Sequence, residues 1–126
     1  MMSMSTEERP QGSPGEWCPA ALKGDLNPHR LNPVTVGGHK LIVLQVDGEV
    51  RAYRDACPHE GFSLSQHGEQ QDFIVVCNKH LWEFDADTGE YLGRIPRPEC
   101  ALKRYPTRVI AGRVEVDLSA HPMPQA

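Results

Sequence analysis

Two short pairs of metal-binding residues, separated by seventeen residues, constrain this chain more than any other feature. The first pair is Cys57 and His59 in a C-x-H pattern, and the second is Cys77 and His80 in a C-x-x-H pattern. Thiolate sulfur and imidazole nitrogen are both ligands for transition metals. Because each pair supplies one of each, the pattern predicts two loops that close around one metal ion or one metal cluster.

The way the ligands are divided leaves two kinds of site open. Four ligands on one ion would form a tetrahedral zinc site, although zinc sites usually pair cysteine with cysteine and histidine with histidine. In a [2Fe–2S] cluster, one iron would take Cys57 and Cys77 and the other would take His59 and His80. The mixed composition of each pair favours the cluster, because each loop then spans both irons.

The residues around the ligands resemble those of Rieske-type [2Fe–2S] ferredoxins. Residues 56–61 read ACPHEG and residues 76–85 read VCNKHLWEFD, followed by a Thr-Gly pair at 88–89. The second segment is most similar to ferredoxin components of multicomponent monooxygenases of the toluene and alkene type, and aromatic-ring oxygenases are the wider group. The resemblance extends over residues 17–118. It implies one [2Fe–2S] Rieske cluster bound by Cys57, His59, Cys77 and His80.

The resemblance implies an electron carrier and not an enzyme. Such a ferredoxin takes single electrons from a flavoprotein NAD(P)H reductase and delivers them to a terminal oxygenase. The resemblance slightly favours a di-iron monooxygenase over a Rieske dioxygenase as that oxygenase. Aromatic hydrocarbon catabolism is the implied setting. Two alternatives stay open: a small Rieske subunit of a larger enzyme such as nitrite reductase, and a zinc-stabilised binding module without a redox role.

Three further residues receive roles from the resemblance. Leu81 and Trp82 follow the second ligand pair, and they are expected in docking or electron transfer beside the cluster. Pro96 belongs to a proline-bearing segment that is expected to cover the cluster as a third loop. Packing within the sheet is an equal alternative for Trp82, and a plain connector is the alternative for the segment around Pro96.

The sequence also bears on the reduction potential. High-potential Rieske proteins of respiratory complexes carry one additional cysteine in each ligand loop, and these two form a disulfide. Neither loop of this chain has a spare cysteine. Because fewer groups then stabilise the reduced state, we expect a potential near the lower end of the Rieske range, which spans roughly −150 to +300 mV.

Apolar and alternating runs separated by turn residues predict an all-β fold. Strands are expected at 34–36, 40–46, 49–53, 73–76, 81–84, 90–92, 102–110 and 113–118, with a helical turn near 20–23 and His67 in a solvated loop. The resemblance implies the Rieske fold: a small antiparallel β-sandwich or barrel that carries a cluster-binding subdomain of two ligand loops plus a proline loop.

Residues 16–118 are expected to form this Rieske domain, with a disordered N-terminal tail at 1–15 and a C-terminal tail at 119–126. The remaining cysteines, Cys18 and Cys100, are expected to be separate thiols. This follows from a reducing compartment, since no signal-peptide pattern is visible and the chain is expected in the cytoplasm.

The balance of charges narrows the choice of partners. The net charge of −4 disfavours nucleic acid as a partner, because nucleic-acid interfaces are basic. No apolar run approaches the length of a membrane span. The partners that the resemblance implies are a flavin reductase as electron donor and a terminal oxygenase as acceptor, and the chain is expected to be a monomer.

Overall fold

The computed structural model describes residues 17–58, 61–79 and 81–119, and these residues form the antiparallel all-β fold that the sequence predicts. The strands are β1 (Trp17–Leu22), β2 (Asn32–Val36), β3 (His39–Val46), β4 (Glu49–Arg54), β5 (Gly68–Gln71), β6 (Ile74–Cys77), β7 (Trp82–Asp85), β8 (Arg104–Tyr105), β9 (Thr107–Ile110) and β10 (Arg113–Asp117). A short helix, α1 (Leu64–His67), and two 3-10 turns (Lys23–Asp25 and Pro98–Cys100) complete the described structure.

The strands are arranged in three antiparallel sheets. The first has the order β1-β10-β9, the second β2-β3-β4-β8 and the third β5-β6-β7. In the third sheet, Cys77 at the end of β6 is paired with Gly68 of β5 on one side and with Trp82 of β7 on the other. One of the two predicted cysteine ligands is therefore held by strands on both sides.

Strand β3 lies between two apolar cores. Its residues from Leu41 to Leu44 are all fully buried, as expected for a strand that is apolar on both faces. Because successive side chains point to opposite faces, Leu41 and Val43 pack in one core and Ile42 and Leu44 pack in the other. The first core, which we call the base core, includes Val114 and Val116 of β10. The second, the ligand-side core, includes Cys57, Leu64, Cys77 and Phe84.

Two expectations about local structure are wrong. Residues 20–22 are part of β1, paired with β10, and only Lys23–Asp25 form a 3-10 turn. Pairing with a distant strand overrides the local turn signal here, which sequence patterns cannot show. The expected strand at 102–110 is instead β8 and β9, and Pro106, which has no N–H to donate to a ladder, lies between them.

The segments that flank the ligand loops also differ from expectation. His67 is the last residue of α1 and not part of a solvated loop; its ring lies 5.6 Å from that of Phe62 between centroids. Residues 90–92 form no strand, and only Tyr91 makes an isolated bridge, to Phe84. Residues 68–71, which were not expected to be regular, form β5.

The expected N-terminal tail at 1–15 lies outside the described residues, as do residues 120–126 of the expected C-terminal tail. Cys18 lies in β1 and Cys100 in the second 3-10 turn, and neither takes part in a disulfide. In the described ranges, the helical segments are all too short or too polar to cross a membrane.

Candidate metal centre

The two cysteines of the predicted ligand set lie in the same apolar core. Cys57 follows β4 and retains 2% of its surface exposed, and Cys77 ends β6 and retains 1%. Both belong to the ligand-side core together with Leu64, which is fully buried. Neither thiol is in a disulfide. The two predicted sulfur ligands therefore come from different segments of the chain and are shielded from water, which suits iron in an iron–sulfur cluster.

The first ligand loop is closed by its own backbone. The N–H of Cys57 donates to the carbonyl oxygen of Phe62 at 2.7 Å, and the N–H of Gly61 donates to the carbonyl oxygen of Cys57 at 2.7 Å. Gly61 has a φ of +80°, a conformation that side chains disfavour. An added Cβ would meet nothing within 4 Å, so backbone conformation and not crowding explains the glycine.

The second ligand loop connects β6 to β7. The N–H of Asn78 donates to the carbonyl oxygen of His67 at 2.8 Å, which attaches this loop to α1. Leu81 has a φ of +59° and leaves 73% of its surface exposed. A leucine in the left-handed region is strained, and here the turn directs a large apolar side chain into solvent.

The two loops lie side by side. The Lys79 Nζ of the second loop is 5.1 Å from the ring centroid of Phe62, which follows the first loop. His59 and His80 lie outside the described residues, so their role as ligands stays a prediction from the sequence. The described residues on either side of them, Pro58 and Lys79 among them, belong to the two neighbouring loops.

Trp82 takes part in a cluster of three aromatic rings. Its ring centroid lies 4.6 Å from that of Tyr91 and 6.4 Å from that of Phe84, and the rings of Phe84 and Tyr91 are 6.0 Å apart. Trp82 itself is half-buried. The packing role considered for Trp82 is therefore present, and a role in electron transfer stays a prediction.

The proline segment reaches this aromatic cluster through Tyr91. Pro96, Arg97 and Pro98 line a surface cleft of about 220 Å³ together with Glu90, Tyr91 and Ala101. Pro96 is exposed, and the neighbouring Ile95 leaves 64% of its surface exposed. The segment thus lies next to the side chain that packs on Trp82.

A group of polar residues beside the first loop was not predicted from the sequence. The Asp55 carboxylate accepts hydrogen bonds from the hydroxyls of Ser63 and Ser65 and from the Ser65 backbone N–H. No local capping signal marks this group, because Asp55 lies eight residues before Ser63 and Ser63 itself makes no capping bond. These hydroxyls donate to a carboxylate, so they are engaged within the protein.

Two contacts attach the ligand side of the molecule to strand β4. The Tyr53 hydroxyl donates to the buried carbonyl oxygen of Ala86 at 2.8 Å, and burial raises the pKa of Tyr53 far above its ordinary value. The Arg51 guanidinium lies 2.8 Å from the Asp87 carboxylate. Both contacts join β4 to the turn after β7.

Among the described residues, no three His, Cys, Asp or Glu side chains lie close enough together to bind a metal ion. A metal site built on the two cysteines therefore needs further ligands from outside the described residues. The predicted ligands His59 and His80 belong to the first and second ligand loops in the sequence. The donor set of buried thiols on neighbouring loops fits a [2Fe–2S] cluster with mixed ligands.

Comparison with known proteins identifies the fold and its relatives. The family model described as "Rieske [2Fe-2S] domain" matches residues 16–106. The ferredoxin component of the alkene monooxygenase system of Xanthobacter autotrophicus is 28% identical over 110 residues, which cover 87% of this chain and 86% of the relative. The ferredoxin component of the p-cumate 2,3-dioxygenase system of Pseudomonas putida is 37% identical over 86 residues, which cover 68% and 71% of the two chains.

Solved structures share the fold. The terminal oxygenase of carbazole 1,9a-dioxygenase from Nocardioides aromaticivorans superimposes with a TM-score of 0.71 at 31% identity over 82% of this chain, which spans only 30% of that oxygenase chain. The ferredoxin of the same system superimposes with a TM-score of 0.70 at 20% identity, over 80% of this chain and 96% of the ferredoxin. The expected Rieske fold is thus confirmed.

Proposed function

The chain belongs to the Rieske [2Fe–2S] domain family, and on that basis we propose that it is a cytoplasmic ferredoxin that carries single electrons from a flavoprotein NAD(P)H reductase to a terminal oxygenase. The observation that carries the proposal is the burial of Cys57 and Cys77 on adjacent loops of one core. A bound cluster of this type supplies one-electron exchange. The protein's task is to hold it near the surface and to exclude water from the thiolates.

The relatives support the choice of a carrier over an enzyme. The two relatives described above are named as ferredoxin components of oxygenase systems, and this chain covers more than two thirds of each. The match to the oxygenase itself is confined to 30% of its length. The chain thus corresponds to a separate electron-transfer component.

The acceptor proposed here is a monooxygenase of the alkene or toluene type. The sequence around His80-Leu81-Trp82 supports it by resemblance, and the alkene monooxygenase ferredoxin matches over 87% of this chain. A ring-hydroxylating dioxygenase is the second candidate, because the p-cumate dioxygenase ferredoxin is more identical, at 37%, over a shorter segment. Supplying each purified oxygenase with this ferredoxin and comparing the rates of product formation separates the two.

The proposed docking face surrounds the second ligand loop. It comprises Leu81, Trp82 and Pro96, and the exposed side chain of Ile95 extends it. Exposed apolar side chains next to an electron-transfer site suit brief contacts with two partners in turn. A monomer leaves this face open to either partner.

The reduction potential proposed for the cluster is low. None of the four cysteines is in a disulfide, and the hydroxyls of Ser63 and Ser65 donate to Asp55. A cluster with few donors has a less stabilised reduced state, so its potential is expected near the lower end of a range of roughly −150 to +300 mV. Such a potential suits electrons that come from a reduced flavin.

The test is a reconstituted chain of reductase, NAD(P)H, this protein and an oxygenase. We expect the visible bands of this protein to bleach on addition of NAD(P)H and product to form only when all components are present. Trp82→Ala should keep its cluster and slow delivery to the oxygenase. Phe73→Ala, which removes an aromatic side chain that is 59% exposed at the opposite end of β6, should leave delivery unchanged.

Two results would contradict the proposal. A protein that retains its cluster but accepts no electrons from any flavoprotein reductase is not the proposed carrier. If Trp82→Ala and Phe73→Ala deliver electrons at the wild-type rate, Trp82 has only a packing role.

A further inference from the structure

The Asp55 carboxylate lies at the start of the first ligand loop, two residues before Cys57. Its Oδ2 accepts a hydrogen bond from the Ser65 hydroxyl at 2.6 Å, and its Oδ1 accepts one from the Ser65 backbone N–H at 2.8 Å. The Ser63 hydroxyl lies 3.2 Å from both oxygens. One half-buried carboxylate therefore joins the residues before the loop to those after it.

The same carboxylate caps helix α1 from outside the helix. Ser63 occupies the N-cap position of α1 but makes no side-chain capping bond. The first N–H groups of a helix have no partner within it, and here the Ser65 N–H finds one in Asp55. The start of α1 is therefore fixed relative to the first ligand loop.

The far end of α1 holds the second ligand loop. The carbonyl oxygen of His67, the last residue of α1, accepts the N–H of Asn78 at 2.8 Å. The first residue of α1, Leu64, is fully buried in the core that contains both Cys57 and Cys77. One turn of helix thus connects the two ligand loops, and each end of it is hydrogen-bonded.

We propose that Asp55 is a positioning residue that, acting through α1, fixes the two ligand loops relative to each other. The inference rests on the proposed function in that these loops are taken to hold a cluster. Hydrogen bonds to an ionised carboxylate are stronger than those between neutral groups. When residues that hold metal ligands in their orientation are removed, the metal affinity commonly falls by about 10- to 100-fold.

The chain offers a matched control for this arrangement. At the end of β10, Asp117 Oδ1 accepts the Ser119 backbone N–H at 2.9 Å and the Ser119 hydroxyl at 2.7 Å. The two bonds are similar in length to those between Asp55 and Ser65, although both go to one carboxylate oxygen, and Asp117 belongs to the first sheet, which does not include β6. Ser65→Ala and Ser119→Ala therefore each remove a hydroxyl that donates to an aspartate carboxylate, in different parts of the molecule.

The experiment compares these variants in the cluster-loaded protein. We expect Ser65→Ala to lose its visible absorption in the presence of an iron chelator about tenfold faster than wild type. We also expect its EPR signal to broaden, because the ligand loops adopt a wider range of arrangements. Ser119→Ala should match wild type in both measurements. Equal rates and line widths in the two variants would overturn the proposal.

Two further variants keep the result clear if one folds poorly. Asp55→Asn retains an oxygen that can accept the Ser65 N–H, so it should lose its cluster at a rate between those of wild type and Asp55→Ala. If Asp55→Asn and Asp55→Ala both match wild type, the carboxylate has no positioning role.

Hydrogen exchange separates this inference from the proposed function. Measured by mass spectrometry on the purified proteins, the segment 61–79 should exchange faster in Ser65→Ala, and the segment 107–117 should not change. Unchanged exchange at 61–79 would contradict the inference. A wild-type protein without an iron–sulfur signal would contradict the proposed function, while the exchange result would still decide the role of Asp55.

Discussion

The two cores that meet at β3 are closed in different ways. The base core is enclosed by strands, with Leu41 and Val43 packed against Val114 and Val116. The ligand-side core also contains strand residues, such as Val75 of β6 and Phe84 of β7, but it adds Leu64 of α1, and its members include both Cys57 and Cys77. Strand β3 therefore contributes side chains to both cores, and of the two only the ligand-side core contains the predicted cysteine ligands.

The base and the ligand side of the molecule also differ in the side chains near their surfaces. In the first sheet, Glu115 of β10 is buried and pairs with Arg108 and Arg113, at 2.7 and 3.0 Å. In the second ligand loop, Leu81 is exposed and has a strained backbone, and Ile95, which precedes Pro96, is also exposed. The base thus pairs a buried carboxylate with two arginines, whereas exposed apolar side chains occur in both regions, because Leu22 of β1 and Ile110 of β9 are exposed as well.

The largest expected effect comes from the predicted histidine ligands. His59→Ala or His80→Ala should abolish the normal cluster, because each removes one of two imidazole ligands from the same iron. The base should stay folded, as measured by circular dichroism. The exposed His29 provides the control, and His29→Ala should keep the wild-type visible and EPR spectra. A wild-type spectrum in His59→Ala or His80→Ala would refute the ligand assignment.

A pair of substitutions in β3 separates the two cores. Leu41→Ala and Leu44→Ala each truncate a fully buried leucine, so each should lower the free energy of unfolding by about 2–5 kcal/mol. Only Leu44 shares a core with Cys57 and Cys77, so only Leu44→Ala should change the spectrum of the cluster or the rate at which the cluster is lost. Denaturant unfolding and visible spectra measure these quantities. An equal spectral change in both variants would mean that the cores are not independent.

Backbone strain at two turns gives a smaller effect. Leu81 and Ala111 both have positive φ, of 59° and 52°. Glycine relieves such strain but gains freedom when unfolded, so Leu81→Gly and Ala111→Gly should each stay within about 1 kcal/mol of wild type in stability. Leu81→Gly should also slow electron delivery, because the exposed side chain is lost. If Ala111→Gly slows delivery equally, the effect does not come from the docking face.

The smallest expected effect concerns Glu115 and acid. Burial alone would raise the pKa of Glu115, but the hydrogen bonds from Arg108 and Arg113 outweigh it and hold the pKa below its ordinary value. The resulting stabilisation is present above the ordinary glutamate pKa of about 4.3 and is lost as the pH falls through the lower pKa of the folded state.

Glu115→Gln should therefore reduce the difference in unfolding free energy between pH 7 and strong acid, by about 1 kcal/mol or less. Urea unfolding at both pH values measures this difference. The exposed Glu49 supplies the control, as Glu49→Gln should leave the difference unchanged. An unchanged difference in Glu115→Gln would show that the pair with Arg108 and Arg113 does not contribute.

The sequence predicted the parts of the fold that depend on local patterns. Alternation and turn pairs placed β2, β3, β4 and β10 within one or two residues, because Asp47-Gly48 and Ala111-Gly112 are turns that the sequence marks directly. It did not predict β1, whose strand conformation depends on pairing with β10 at the other end of the chain. Long-range pairing leaves little trace in a short window of residues.

The candidate site shows the same division. The ligand pattern predicted the cluster type and the two loops, because ligand spacing is local. The contact of Asp55 with α1 was not predicted, since it depends on a helix of one turn whose own N-cap serine makes no capping bond. The packing of Trp82 on Tyr91 likewise depends on a residue outside the named strands, because Tyr91 is joined to β7 only by an isolated bridge to Phe84.

An EPR spectrum of the dithionite-reduced protein, purified without air, tests the central claim most directly. A rhombic signal with an average g below that of an all-cysteine [2Fe–2S] cluster is the predicted result, because two histidines bind one of the irons. A silent spectrum together with zinc in elemental analysis would contradict the account, and it would leave a structural metal domain without a role in electron transfer.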